Sequence, residues 1–353
     1  MSAVNRSTEP KRYPAKPQPG DRVAVLSPSA GLPAVFPHVY ELGLRRLRDE
    51  FGLIPVEYPT TRAADAHPRE RARDLTAAFA DPTITAVLAT VGGDDLITVV
   101  PHLDGEVIAA NPKPYFGYSD NTNVLAYLFE LGLVGYHGGS VLVHLGRPGS
   151  MHPATAASLR AALFTTDWYE LAPAKQYSDE PSDWRDPSTL ADEPVMFPSD
   201  GWRWHGPQNR VEGPVWGGNL EILGWLLQAG RVGPNEAYAG HVLLLETSEE
   251  IPSDVEVFRI LRNMGERGLL AKFSAVLVGR PKAWDFEQPN TAEQKREHTE
   301  AQRAAVLKVL AEYNPDAIAV FGLDVGHTDP QLIIPYGGLA RVDSTARRIT
   351  VHY

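Results

Sequence analysis

Three residues, far apart in this 353-residue chain, stand where predicted strands end: Ser119, Glu246 and His327. Their types are those an amide or ester hydrolase requires. A nucleophile attacks, a base takes its proton, and a carboxylate orients the base and steadies it once it is charged. Ser119 lies in PYFGYSDNTNVLAYL. Two aromatics after a proline predict the end of a buried strand, Gly117 permits a sharp turn, and the apolar spacing after Thr122 is helical. Such a strand-to-helix turn points a hydroxyl at a cleft and sets the first helical N–H groups where an oxyanion would develop. The motif is G-Y-S-D-N-T, not the G-x-S-x-G of ordinary hydrolases. Ser119 or Asp120 could equally serve as a plain helix cap.

For the base there are 11 histidines, of which His137 in GYHGGS, His241 at a strand start and His327 in GLDVGHTDP flank predicted strands. His327 follows an apolar strand and a glycine, at the carboxyl end where cleft residues collect. A neutral ring bonded to a backbone carbonyl is the alternative for a lone loop histidine. Glu246 closes VLLLE and would be buried on its apolar side; Glu249 and Glu250 next to it suit a solvated helix start. Gly92 and Gly93 let a backbone approach a ligand and cradle negative charge, or simply make a tight turn.

Composition narrows the class of protein. At 43% hydrophobic and 22% charged the chain is an ordinary globular sequence, long enough for about two domains. A formal charge of −11 argues against nucleic-acid partners, which need a basic face. With no cysteine, disulfides, thiolate metal sites and a cysteine nucleophile are all excluded. The first 20 residues are charged and proline-rich, without the apolar core of a secretory signal, and no run reaches the length of a membrane span. The expectation is a soluble cytoplasmic protein with no membrane partner.

The elements that must position these residues follow in order. DRVAVLSPSAG, LIPVEYP and ITAVLATVGGDD are predicted strands that alternate with the helices HVYELGLRRLRDEFG and RERARDLTAAFADP. That alternation predicts an α/β fold with a parallel sheet. Between Lys175 and Arg210 the composition turns to Pro, Asp and Trp without periodicity. Such a loop is usually functional; Trp184, Trp202 and Trp204 argue against disorder. GPVWGGNLEILGWLLQAG then opens a second series of strands and helices, and QLIIPYGGLARVDSTARRITVHY alternates as closing strands. The expected division is a loose tail over 1–20, an N-terminal α/β domain with the nucleophile over 21–170, a linker and lid over 171–212, and a C-terminal domain over 213–353.

Four segments, GYSDNT, GPVWGGNLE, VLLLETSEE and GLDVGHTDPQLIIPYG, stand in an order that resembles the LD-carboxypeptidase family of serine peptidases, and specifically its microcin C immunity branch. The resemblance runs from about Gly20 onward. It implies an N-terminal parallel-sheet α/β domain, a mixed, β-rich α/β C-terminal domain, and an active site between them. Carried over by position, Ser119 is the nucleophile, His327 the base and Glu246 the acceptor, with Glu221 of GGNLE a competitor inside a helix. By the same resemblance the oxyanion hole uses the N–H groups of Asp120 and Gly93, no cofactor or metal is needed, and the protein is a homodimer. Gly92-Gly93-Asp94-Asp95 and the long tryptophan-bearing insertion favour the immunity branch, whose members cut an aminoacyl group from a nucleotide-like moiety. An indole stacks on a purine, so Trp184 is the expected platform, with Asn219 and Asp95 as further substrate contacts; Asn219 could also cap its helix. The alternatives are a murein tetrapeptide carboxypeptidase, a non-catalytic two-domain ligand-binding protein, and a metal hydrolase using His327 with Asp94 and Asp95.

Overall fold

The computed structural model describes residues 10–353. Its first half contains five strands, β1 (Arg22–Leu26), β2 (Ile54–Glu57), β3 (Ile84–Ala89), β4 (Tyr115–Gly117) and β5 (Gly135–His137), which pair in parallel in the order β2-β1-β3-β4-β5. Parallel pairing needs a crossover after each strand. Helices α1 (Pro37–Asp49), α2 (Pro68–Ala80), α3 (Gly105–Ala110) and α4 (Thr122–Glu130) provide them. Because helices cover both faces, β1 and β3 are nearly continuous apolar runs, as in RVAVL and ITAVLA.

After α5 (Pro153–Phe164) come β6 (Trp168–Leu171), the two-residue pair β7 (Gln176–Tyr177) and β8 (Phe197–Pro198), and β9 (Arg203–His205). A second parallel set follows, β10 (Arg210–Asn219), β11 (Val242–Glu246), β12 (Ala275–Gly279) and β13 (Ile318–Leu323), with α6 (Leu220–Gln228), α7 (Asp254–Glu266) and α8 (Ala292–Tyr313) between them. Finally β14 (Ile334–Tyr336) lies antiparallel to β5 on one side and parallel to β10 on the other. It joins both sets into one continuous sheet. β15 (Leu339–Asp343) and β16 (Arg348–His352) form the closing antiparallel strands, pairing with β10 and β6.

Two apolar clusters fill the two faces of this sheet. One is built on α2, α4, α6, α7 and α8, the other on α1, α5 and the turn of Val141–Leu145. The loops after β11 and β13 meet the end of β5, where Glu246 lies 3.8 Å from His137 and 2.7 Å from His327.

Two expectations need correction. Residues 1–9 of the expected tail lie outside the described residues, but 10–20 are not loose. Arg12 exchanges backbone hydrogen bonds with Gly132 and Val134, Tyr13 Oη accepts from the Leu339 amide at 2.7 Å, and Lys16 Nζ donates to Tyr136 Oη. The aromatic and aliphatic content of this segment was too sparse to show periodicity, yet it finds slots already lined by β5 and β15. The 171–212 insertion likewise does more than link. β9 is an edge strand, antiparallel to β13, and Ser178 and Asp329 exchange two backbone hydrogen bonds at 2.7 and 2.8 Å. Among the described residues no helix is long and apolar enough to cross a membrane.

Candidate active site

Ser119 follows β4 on a short 3-10 turn, Ser119–Asn121, that runs into α4. Its φ is +60°. A side chain in the left-handed region costs about 1 kcal/mol or more and persists only where the surroundings enforce it. Those surroundings are specific. Gly92 faces the serine so closely that a Cβ there would sit 2.8 Å from Ser119 Cβ and 2.9 Å from its Oγ. Asn121 holds the turn from below: its Oδ1 accepts from Tyr115 Oη at 2.5 Å, and its Nδ2 donates to the Val91 and Tyr118 carbonyls.

Asp120 is fully buried and ties three loops together. Its Oδ2 accepts from Ser29 Oγ at 2.5 Å and from the Leu96 amide at 2.9 Å, and its Oδ1 accepts from Asn123 Nδ2 at 2.8 Å. Burial raises its pKa, and the Ser29 and Leu96 donors oppose that rise. The Ser119 turn is thus riveted to the loops after β1 and β3.

His327 sits beyond β13 with its Nδ1 2.7 Å from Glu246 Oε2. Glu246 terminates β11, fully buried, and its other oxygen lies 3.8 Å from His137 Nε2 at the end of β5. Burial alone would push the Glu246 carboxyl up; His327 and His137 outweigh it and hold the group down at about 2. Burial works against the His327 imidazolium, but Glu246 and Glu249 raise its pKa well above the usual histidine value. The His327 Nε2 is 3.0 Å from Glu249 Oε2, whose side chain is 62% exposed. Tyr118, the residue before Ser119, packs its ring 4.9 Å from that of His327 and 5.2 Å from that of His144. Burial, with His137 and His327 nearby, holds His144 neutral, its pKa lowered to about 3, and its Nδ1 accepts the Ser140 amide at 3.0 Å.

The other expected residues divide. His241 is at the amino end of β11, among Phe129 and Tyr238, far along the strand from Glu246. Glu221 does not meet His327; it accepts the Ser248 amide and hydroxyl at 2.9 and 2.6 Å and so fastens the loop after β11. Asn219 caps α6 through its Oδ1, while its buried Nδ2 has no hydrogen-bond partner among the described residues. Asp95 is turned to a structural task. Both of its oxygens meet Arg71, at 2.8 and 2.5 Å, and Arg71 also donates to the Pro28 and Ser29 carbonyls. Gly93 has a φ of +157°, and a Cβ on it would strike Ser29 Oγ, so this glycine lets the loops after β1 and β3 touch. Among the described residues no cluster of three His, Cys, Asp or Glu is arranged to hold a metal ion.

Trp184 stacks edge-on against Phe36 and lines a cavity of about 110 Å³ together with His327, His144, Arg147 and Lys282. Trp202 donates to Asp324 at 3.2 Å, and Trp204 lies in β9; both serve packing. Sequence reading did not single out Arg71, His144 or the contact of Glu249 with His327. Gly92, named there with Gly93 as a glycine pair, is the one packed against Ser119.

Residues 23–138 match the LD-carboxypeptidase N-terminal domain and residues 212–342 the LD-carboxypeptidase C-terminal domain. The microcin C7 self-immunity protein MccF of Escherichia coli is 28% identical over 80% of this chain and 78% of its own. The murein tetrapeptide carboxypeptidase of Pseudomonas aeruginosa is 32% identical over 65% of this chain and 67% of its own. An MccF-like protein of Streptococcus pneumoniae, solved in complex with AMP, superposes with a TM-score of 0.83 at 26% identity, covering 94% of this chain and 99% of that one. With both family domains matched in order, on a fold shared with MccF-like proteins, this chain belongs to the LD-carboxypeptidase family.

Proposed function

We propose that the protein is a serine peptidase that hydrolyses the bond between an aminoacyl or peptidyl group and a nucleotide-like moiety. Ser119 Oγ attacks the carbonyl carbon and its proton passes to His327 Nε2. The Glu246 carboxylate keeps the Nδ1–H directed and balances the imidazolium charge. The N–H groups of Gly93 and Asp120 receive the oxyanion; each such donor typically contributes about 3 kcal/mol. His327 then returns the proton to the leaving nitrogen, and a water molecule, deprotonated by the same imidazole, releases the acyl group from Ser119.

The observation that carries the nucleotide part is the indole of Trp184 on the wall of the cavity that also exposes His327. A purine stacked there gains about 1 to 3 kcal/mol, and the AMP complex of the streptococcal relative supports the same class of ligand. The second reading, murein tetrapeptide cleavage, draws on the Pseudomonas relative.

Incubation with an aminoacyl sulfamoyl adenosine and, separately, with murein tetrapeptide distinguishes the two. Release of the free amino acid from the nucleoside is the expected result; release of D-alanine alone would overturn the nucleotide reading. A fluorophosphonate probe tests the chemistry itself: absence of labelling at Ser119 together with tight binding of intact ligand would mark a non-catalytic binding protein. The family's dimer belongs to this reading too, and sedimentation velocity checks it.

A further inference from the structure

His327 is held by a carboxylate on each nitrogen. Glu246 on Nδ1 is buried, and Glu249 on Nε2 is an exposed side chain at 3.0 Å. The second contact is an ion pair without hydrogen-bond alignment, and it sets a carboxylate beside the nitrogen that must take the Ser119 proton. For the reaction assigned above, Glu249 has to leave.

The loop is built to let it. Ser248 is fastened by Glu221, and Ile251 is buried at a φ of +53°, so Glu249 and Glu250 form a two-residue bridge between fixed points with both side chains exposed. An ion pair with one exposed partner is worth about 0 to 1 kcal/mol and exchanges readily. The groups near His327 define what can trade places with it. Glu246 and Glu249 are negative, His144 is neutral, and His137 lies on the far oxygen of Glu246. Of the nearby cations, Lys282 gives its ammonium to the Asp179 carbonyl at 2.8 Å, and Arg147 is held by Asp329 and Glu193. A neutral substrate offers Glu249 no reason to abandon the imidazolium, and an anionic one is repelled by Glu249 and Glu250 together.

We propose that Glu249 is a specificity residue: it binds an ammonium group carried by the acyl half of the substrate, and in moving to it uncovers His327 Nε2. The proposal rests on the hydrolase reading above but not on the identity of the leaving group. Once Glu249 departs, the imidazolium loses one of two anionic neighbours, releases its Nε2 proton to water, and becomes the base.

The test uses two compounds, a lysyl sulfamoyl adenosine and murein tetrapeptide, each with its amines free and acetylated. Wild-type enzyme is expected to favour the free-amine form of whichever compound it hydrolyses by at least about tenfold in kcat/KM. Glu249→Gln is expected to reduce that preference to within about threefold, chiefly through KM, and Glu249→Asp to restore part of it. A preference that Glu249→Gln leaves intact, or a wild type that treats the two forms alike, overturns the proposal while the hydrolase reading stands. A wild type that hydrolyses none of the four compounds overturns the hydrolase reading, and this proposal with it.

Discussion

Gly92 and Ser119 face each other with no room for a methyl group between them: a Cβ on Gly92 would lie 2.8 Å from Ser119 Cβ and 3.4 Å from the Asp120 amide nitrogen. The glycine therefore sets where the Ser119 side chain stands. Gly92→Ala should push the turn aside, lowering turnover by about a hundredfold or more and stability by about 1 to 3 kcal/mol. Steady-state kinetics and urea titration of the purified variant check both numbers. A variant with wild-type turnover would show that the serine is not placed by this contact.

The left-handed backbone at Ser119 separates stability from activity. Ser119→Ala should reduce turnover by roughly a millionfold, as loss of a nucleophile does in other serine peptidases, and it retains the strain of φ +60°. Ser119→Gly removes the same hydroxyl but relaxes that conformation, so it should be more stable than the alanine variant by about 1 kcal/mol. Paired thermal melts read the difference; an alanine variant as stable as the glycine one would mean the turn carries no strain.

Glu246→Gln keeps the size of the side chain and removes the charge 2.7 Å from His327 Nδ1. Turnover should fall by about 10⁴-fold, the cost of losing the equivalent acid in a serine protease triad. The acid limb of the pH–rate profile should also move. Glu246 raises the His327 pKa, so without it the imidazole deprotonates at lower pH and the limb shifts downward. A limb that stays in place would separate the two residues functionally.

His144 supplies a stability test. Its folded pKa is lowered to about 3 from an ordinary value near 6.5, so the folded state keeps it neutral at pH values where the unfolded chain would protonate it. A depressed folded pKa gives a contribution that is present above the unfolded pKa and lost as pH falls toward the folded one. Between pH 6.5 and 4.5 the wild type should lose about 2 kcal/mol on this account. His144→Asn, whose carbonyl can still accept the Ser140 amide, should lose correspondingly less. Urea midpoints at the two pH values decide it: equal losses in both proteins would assign acid sensitivity elsewhere.

Trp184→Ala should raise KM for an aminoacyl sulfamoyl adenosine by about tenfold, the low end of base-stacking energies, while leaving thermal stability within about 1 kcal/mol because the ring is only half buried. Unchanged KM with a marked fall in melting temperature would make it a packing residue against Phe36.

The strands were legible because their burial is two-sided: RVAVL, ITAVLA and VLLLE are runs that only a covered sheet accommodates. The turn at Ser119 and the carboxyl-end positions of Glu246 and His327 followed from that. What escaped the sequence depends on partners distant along the chain. Asp95 looks like a ligand for substrate until Arg71, 24 residues earlier, claims both its oxygens. The glycine pair does not reveal by itself which member packs where: Gly92 faces Ser119 and Gly93 faces Ser29, a distinction set by which Cα faces the next loop. Residues 10–20 carry few apolar side chains, and their anchoring through Arg12, Tyr13 and Lys16 uses scattered hydrogen bonds that no periodicity announces.

The three-residue strand Ile334–Tyr336 has a consequence for how the molecule is made. It is synthesised last among the strands that bridge the halves, yet it lies in the middle of the sheet between Gly135–His137 and the long strand Arg210–Asn219. Until it emerges from the ribosome, both neighbours have edges open toward it in search of hydrogen bonds. Closure of the sheet is thereby deferred to the final stage of chain growth, so a polypeptide ended before this strand would expose two adhesive strand edges.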